Sequence, residues 1–176
     1  MYIERIYISG YGIFSNCSLP DEQASGFLYP GLTVVTGSNE SGKTTLLSFI
    51  RTALFGFQSS KSENPYPPLI GGKHGGHITI VNSQGARYLI ERSAGRSGGL
   101  LYVTLPDGSK GNNNNLLELI GHASRDLFRN VFAFSLTELQ DFETLSKDEI
   151  RSRIYSAGLG TGRLSLHDIE MNLEKR

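Results

Sequence analysis

An α/β fold, with a phosphate-binding loop at its core and an antiparallel β-meander beside it, follows from three features of the sequence. Gly37-Ser38-Asn39-Glu40-Ser41-Gly42-Lys43-Thr44 fits G-x-x-x-x-G-K-[ST]. The motif stands between the apolar run Leu32-Thr33-Val34-Val35 and the helical pattern of residues 46–55, which is the strand–loop–helix setting that such a loop requires. Further on, residues 77–81, 86–92 and 100–105 are short apolar runs separated by turn residues, the pattern of a meander.

The elements follow in order. Tyr2-Ile3-Glu4-Arg5-Ile6-Tyr7-Ile8 alternates with period two and reads as a strand. Gly10-Tyr11-Gly12 punctuates it, and Ile13-Phe14 with Cys17-Ser18-Leu19 returns as a hairpin partner. Tyr29-Pro30-Gly31 is a turn, and residues 32–36 are the strand entering the loop. The helix after it sets Leu46, Leu47, Ile50, Ala53 and Leu54 on one face and stops at Gly56. From residue 58 to residue 76, three prolines and paired glycines exclude helix and strand and predict a long surface loop. The meander then turns at Asn82-Ser83-Gln84-Gly85 and closes at Pro106-Asp107-Gly108. Asn115 is expected to cap a helix over 116–121, and residues 124–130 form another short helix. Val131-Phe132-Ala133-Phe134 reads as an apolar strand. Ser135 with Glu138, and Ser146 with Glu149, have capping-box spacing; the second box starts a helix with Ile150 and Ile154 inward. Gly158-Leu159-Gly160-Thr161-Gly162 is a joint before a last helix carrying Leu166, Ile169 and Leu173. Their 3-then-4 spacing suits a coiled-coil seam or, more commonly, an amphipathic helix, and no stop signal precedes Arg176. The expected division is residues 1–164 as one nucleotide-binding lobe and 165–176 as the start of a helix.

Composition sets bounds. A chain of 176 residues suffices for one domain with a proper core, and 21 glycines imply many turns. Lys and Arg number 17, as do Asp and Glu, so net charge gives no steering toward nucleic acid and any such surface must be a local patch. Cys17 is the lone cysteine, which excludes an internal disulfide and suits a reducing compartment. No apolar run approaches a membrane span and no leader opens the chain, so a cytoplasmic protein without a membrane partner is expected.

The loop fixes the ligand class. Successive backbone N–H groups of such a loop face an anion and the helix N-terminus adds positive potential, so the expected ligand is a nucleoside triphosphate, ATP, with Mg²⁺. Lys43 reaches the outer phosphates and the Thr44 hydroxyl holds the metal. Hydrolysis needs a second strand ending in Asp or Asp-Glu. Tyr88-Leu89-Ile90-Glu91 is the nearest match, but Arg92 follows it inside the meander; Leu116-Leu117-Glu118 is too short. The chain therefore has the means to bind a nucleotide and lacks the parts to hydrolyse one. Other candidates have plainer readings. His74-Gly75-Gly76-His77 reads as a loop before it reads as a metal site, since no cysteine is near and glycines give no fixed geometry. Arg87, Arg92 and Arg96 suggest a DNA patch, but alternation puts Arg87 and Arg92 on opposite strand faces, favouring a solvated sheet edge. Tyr11 and Phe14 suit either an adenine platform or the core.

The opening strand ending Ile8-Ser9-Gly10-Tyr11-Gly12-Ile13-Phe14, the phosphate loop through Thr45, Val131-Phe132-Ala133-Phe134-Ser135-Leu136-Thr137-Glu138-Leu139 and Ala157-Gly158-Leu159-Gly160 together resemble the N-terminal half of an SMC/SbcC/RecF-type ATPase head. The nearest likeness is to the YhaN-like bacterial AAA domain, over essentially the whole chain. The resemblance implies a P-loop NTPase lobe of ABC/SMC-head type whose second lobe, carrying the signature loop and the Asp-Glu strand, follows a long coiled coil. That would make the chain an engineered fragment or a truncated product, inactive alone and an ATPase when complete. It implies nucleotide contacts from Gly37, Asn39, Glu40, Ser41, Gly42, Lys43, Thr44 and Thr45, with Thr44 on Mg²⁺; Glu40 fills a position often held by a small residue. It calls for a metal- and γ-phosphate-sensing glutamine after the strand at 131–134, where Ser135 stands instead and Gln140 lies five residues on; Gln140 is slightly favoured. Implied partners are the C-terminal lobe, a second copy through the nucleotide, DNA and a nuclease subunit, in DNA repair, recombination or chromosome maintenance. Two other readings remain: a nucleotide-binding scaffold or regulator without hydrolysis, and a small-molecule kinase, for which no acceptor site is visible.

Overall fold

The computed structural model describes residues 1–21, 26–58 and 65–133. The chain forms two compact units, residues 1–119 and 120–176.

In the first unit, strands β1 (Tyr2–Tyr11), β2 (Phe14–Leu19), β3 (Gly75–Val81), β4 (Arg87–Ser93), β5 (Leu100–Thr104) and β6 (Lys110–Gly111) form one antiparallel sheet, in the order β2-β1-β3-β4-β5-β6. The predicted hairpin and meander are thus joined: β1 lies between β2 and β3. Register explains the core. Ile6, Ile78, Ile90 and Val103 stand directly opposite one another across four strands, and each is at most 4% exposed. Tyr7, His77, Glu91 and Tyr102 form the matching row on the other face, with the Tyr7 and His77 rings stacked at 4.9 Å.

Helix α1 (Lys43–Phe55) packs on the isoleucine face, its Phe49 ring beside Gly76. It ends at Gly56 as expected, where φ is 89°. Its inward face differs from the apolar pattern. Leu46, Phe49, Ala53 and Leu54 are buried, but so are Ser48, Arg51 and Thr52, while Leu47 and Ile50 are half-buried. Ser48 and Thr52 lie one turn apart, and both bond to the buried Tyr11 hydroxyl at 3.0 and 2.9 Å. Ser48 and Thr52 enter this core because each finds a partner there.

Three further elements depart from expectation. The strand after the long loop begins at Gly75, two residues early, and so includes both glycines. A Cβ at Gly75 would strike the Arg92 carbonyl oxygen, and one at Gly76 the Tyr7 carbonyl oxygen; here glycine permits close strand approach rather than breaking the strand. Residues 32–36 join no strand: Leu32, Val34 and Val35 are 92%, 70% and 52% exposed. An extended run becomes a strand only where a neighbour accepts its N–H and C=O groups, and none of the six strands does. Helix α2 (Asn113–Leu119) starts ahead of Asn115. Asn112 caps it, its Oδ1 accepting the Asn114 N–H at 2.8 Å, while Asn115 Oδ1 takes the Asn112 N–H at 2.9 Å.

In the second unit, Ser124 caps helix α3 (Arg125–Leu127), accepting the Leu127 N–H at 3.1 Å. The chain then winds into a π-helical turn over Phe128–Phe132, where a strand over 131–134 was expected. The Ala133 N–H reaches back five residues to the Phe128 carbonyl at 2.8 Å. A short apolar run does not distinguish strand from helix, and the cap at Ser124 starts the winding. The remainder of that run, the capping boxes, Ser135, Gln140, the joint at 158–162 and the last helix lie outside the described residues.

No helix among the described residues is long and apolar enough to cross a membrane.

Candidate nucleotide site

The loop 37–44 is shaped by two left-handed residues. Glu40 has φ 66° and Gly42 φ 93°, and α1 begins at the next residue. Gly42 caps the helix without a side-chain hydrogen bond, and Leu46 makes the first helical bond, to the Gly42 carbonyl at 2.8 Å. The N–H groups of Lys43, Thr44 and Thr45 precede it and have no acceptor within the helix. The first turn carries no acidic residue to answer its positive end. Gly37 sits so close to Ser41 that any Cβ would overlap the Ser41 Oγ. The Lys43 ammonium folds over this curl, donating to the Gly37 and Ser38 carbonyls at 2.8 and 2.6 Å. Lys43, Thr44, Asn39, Glu40 and Ser41 are exposed and Gly42 is half-buried, so an anion reaches the loop from solvent.

Support comes from the hairpin tip. A Cβ at Gly42 would lie 2.8 Å from both Ile13 Cδ1 and Phe14 Cζ, and one at Gly12 would lie 2.7 Å from Thr45 Cγ2. Phe14 therefore packs against the loop. Tyr11, 1% exposed, is core and presents no face to a ligand.

The far end of α1 is held by Arg92, which donates to the Ala53 and Leu54 carbonyls, each at 3.3 Å. The helix has no basic residue of its own in its last turn, so a strand supplies the charge. Arg92 is buried rather than solvated, and Arg87 makes three hydrogen bonds of 2.9–3.1 Å to buried Glu4. Both serve the fold, although Arg87, like Arg96, is exposed. The two histidines are also in use. His74 Nε2 donates to the Pro65 carbonyl at 3.0 Å and its ring meets Tyr11 and Phe57. Among the described residues no three His, Cys, Asp or Glu side chains are grouped to hold a metal.

Burial pushes both histidines below the ordinary imidazole value of 6.5; bonds to the Pro65 and Tyr66 backbone oppose this at His74, as does Glu91 at His77. The unfolded chain then holds more protons as pH falls through 6.5, so stability is full above that value and declines on acidification. The urea midpoint is expected to drop between about pH 7.5 and about pH 5.5, and the His74→Gln, His77→Gln double variant to flatten that slope. A slope unchanged by the double variant would assign it to other groups.

Glu91, at the end of the nearest apolar-then-acid match, lies on the sheet face away from α1, 3.8 Å from the Lys73 ammonium. Glu118 lines a cavity of about 690 Å³ with Asn82, Gln84, Tyr88 and Asp107; its lining among the described residues has no lysine or arginine and does not suit a triphosphate. No local pattern points to Tyr66, which stacks on Tyr11, because it stands in a proline- and glycine-rich stretch.

Comparison with known proteins agrees with an ATPase-type domain. A curated relative from Bacillus subtilis (strain 168), described as uncharacterized protein YhaN, is 30% identical over 173 residues, covering 98% of this chain. The chain spans 17% of that relative's length. A family model described as AAA domain matches residues 1–176, and the chain belongs to that AAA domain family.

Proposed function

We propose that this chain is the ATP-binding lobe of an SMC/SbcC-like ATPase head, with loop 37–44 on the phosphates and Thr44 on Mg²⁺. The observation that carries the reading is the run beside the loop: Leu32, Val34 and Val35 are exposed, with no strand partner among the described residues. Burying three such side chains is worth roughly 1.5–3 kcal/mol each, so a partnering strand gains much by docking here. In this reading that strand belongs to a second lobe, which also brings the catalytic acid. The head pairs with a second copy through the nucleotide and works with DNA and a nuclease.

The test is turnover. The chain alone is expected to bind ATP·Mg²⁺ and hydrolyse it negligibly, and the full-length protein, or the chain with its C-terminal lobe added as a separate polypeptide, to hydrolyse it. Appreciable turnover by the isolated chain at high dilution would sink the split-head reading. A second reading, a scaffold whose nucleotide is structural, is favoured by the lack of an acid facing α1 at Glu91. Full-length Lys43→Ala retaining its cellular role would select it.

A further inference from the structure

We propose that Tyr66 is a positioning residue for the nucleotide site: it holds the hairpin tip at Gly12 against the first turn of α1 and so sets the affinity of loop 37–44 for a nucleoside triphosphate. The proposal rests on the reading of that loop as an ATP site.

Gly12 is held by its backbone. Its N–H donates to the Tyr66 carbonyl at 2.9 Å and its carbonyl accepts the Leu69 N–H at 2.9 Å. Both of its backbone polar groups are thus engaged by one segment. The Tyr66 ring adds a stack on Tyr11, at 5.5 Å and 23°. A Cβ at Gly12 would lie 2.7 Å from Thr45 Cγ2 and 3.4 Å from Tyr66 Cδ1, so Gly12, Thr45 and the Tyr66 ring meet at one point with no room for a side chain. The next residues of the tip, Ile13 and Phe14, meet Gly42 in the same way. Displacing the tip therefore displaces Gly42 and Thr45, which bound the N–H groups that would face the phosphates.

The segment is itself tied down. His74 Nε2 holds the Pro65 carbonyl, the Lys73 N–H donates to Ser9 Oγ at 3.2 Å, and the Gly71 carbonyl lies against Gly10. Tyr66 sits at φ 46°, in the left-handed region that a bulky side chain rarely adopts. Such a conformation persists where the surroundings over-determine it, and it often marks a functional position. Anion affinity depends on several N–H groups converging to within about 0.5 Å, so a loosened tip weakens binding before it weakens the fold. Coupling of this kind is reciprocal: a bound triphosphate must steady residues 65–74.

The experiment uses the whole chain and ATP·Mg²⁺, with affinity read by titration and mobility by hydrogen exchange of residues 65–74. Tyr66→Ala is expected to raise Kd about tenfold, and Tyr66→Phe, which keeps the ring, to stay within about twofold of wild type. Val103→Ala, which weakens the sheet core without touching the tip, is expected to leave Kd unchanged. Saturating ATP should slow exchange at 65–74 in the wild type, a measurement that needs no variant. Exchange there unchanged by ATP, Tyr66→Ala binding as wild type does, or Val103→Ala losing as much affinity would each overturn the positioning role alone. Absence of ATP binding by the wild type would overturn the site reading and this proposal with it.

Discussion

Lys43→Ala is expected to weaken ATP binding by about ten- to a hundredfold while the fold persists. The ammonium sits over the loop on the Gly37 and Ser38 carbonyls, beside the three N–H groups that open α1. It is exposed, so its removal leaves no cavity and costs the fold little. Its value lies with the ligand: a charge-assisted hydrogen bond contributes about 1.5–3 kcal/mol, and about 2.7 kcal/mol is a hundredfold in Kd. Lys43→Arg is not a rescue, because a planar fork cannot take the place of a point charge bonded to two carbonyls on one curl. Calorimetric titration decides it: a Kd for Lys43→Ala within about threefold of wild type would remove Lys43 from the site.

The loop and α1 were legible because a turn that needs left-handed residues, followed by a helix, has few solutions in sequence; Gly42 and Gly56 mark both ends of α1. The meander was legible from alternation and from Asn82, whose Oδ1 takes the N–H groups of Gln84 and Ala86. What escaped was long-range. Nothing local tells that Arg92 on β4 closes the C-terminus of α1, that Glu4 and Arg87 pair across 83 residues, or that Gly75 and Gly76 are strand rather than loop. The run 32–36 has strand composition and no strand, since composition states a preference and a ladder needs a neighbour. Of the candidate site, the phosphate-binding half could be read from the motif, while the tip and the segment that grips it depend on contacts between Gly12 and residues 66 and 69.

Tyr11→Ala should lower the stability of the first unit by about 3–5 kcal/mol, the range for removing a large buried aromatic. Tyr11 is 1% exposed, and its ring touches Phe49, Phe57, Tyr66 and His74. The cavity would open where strand, helix and the segment at 65–74 meet, among the rings of Phe49, Phe57, Tyr66 and His74. The hydroxyl adds a separate loss. Ser48 and Thr52 would each give up their bond to it, although both can turn to a carbonyl one helical turn back, so Tyr11→Phe should cost only about 1 kcal/mol. The two variants separate packing from polarity, and urea denaturation followed by far-UV circular dichroism measures both. Because the same ring carries the stack with Tyr66, Tyr11→Ala should also release the hairpin tip, and ATP affinity should fall with it. Equal losses for Tyr11→Ala and Tyr11→Phe would mean that the hydroxyl, and not the ring, holds α1 to the sheet.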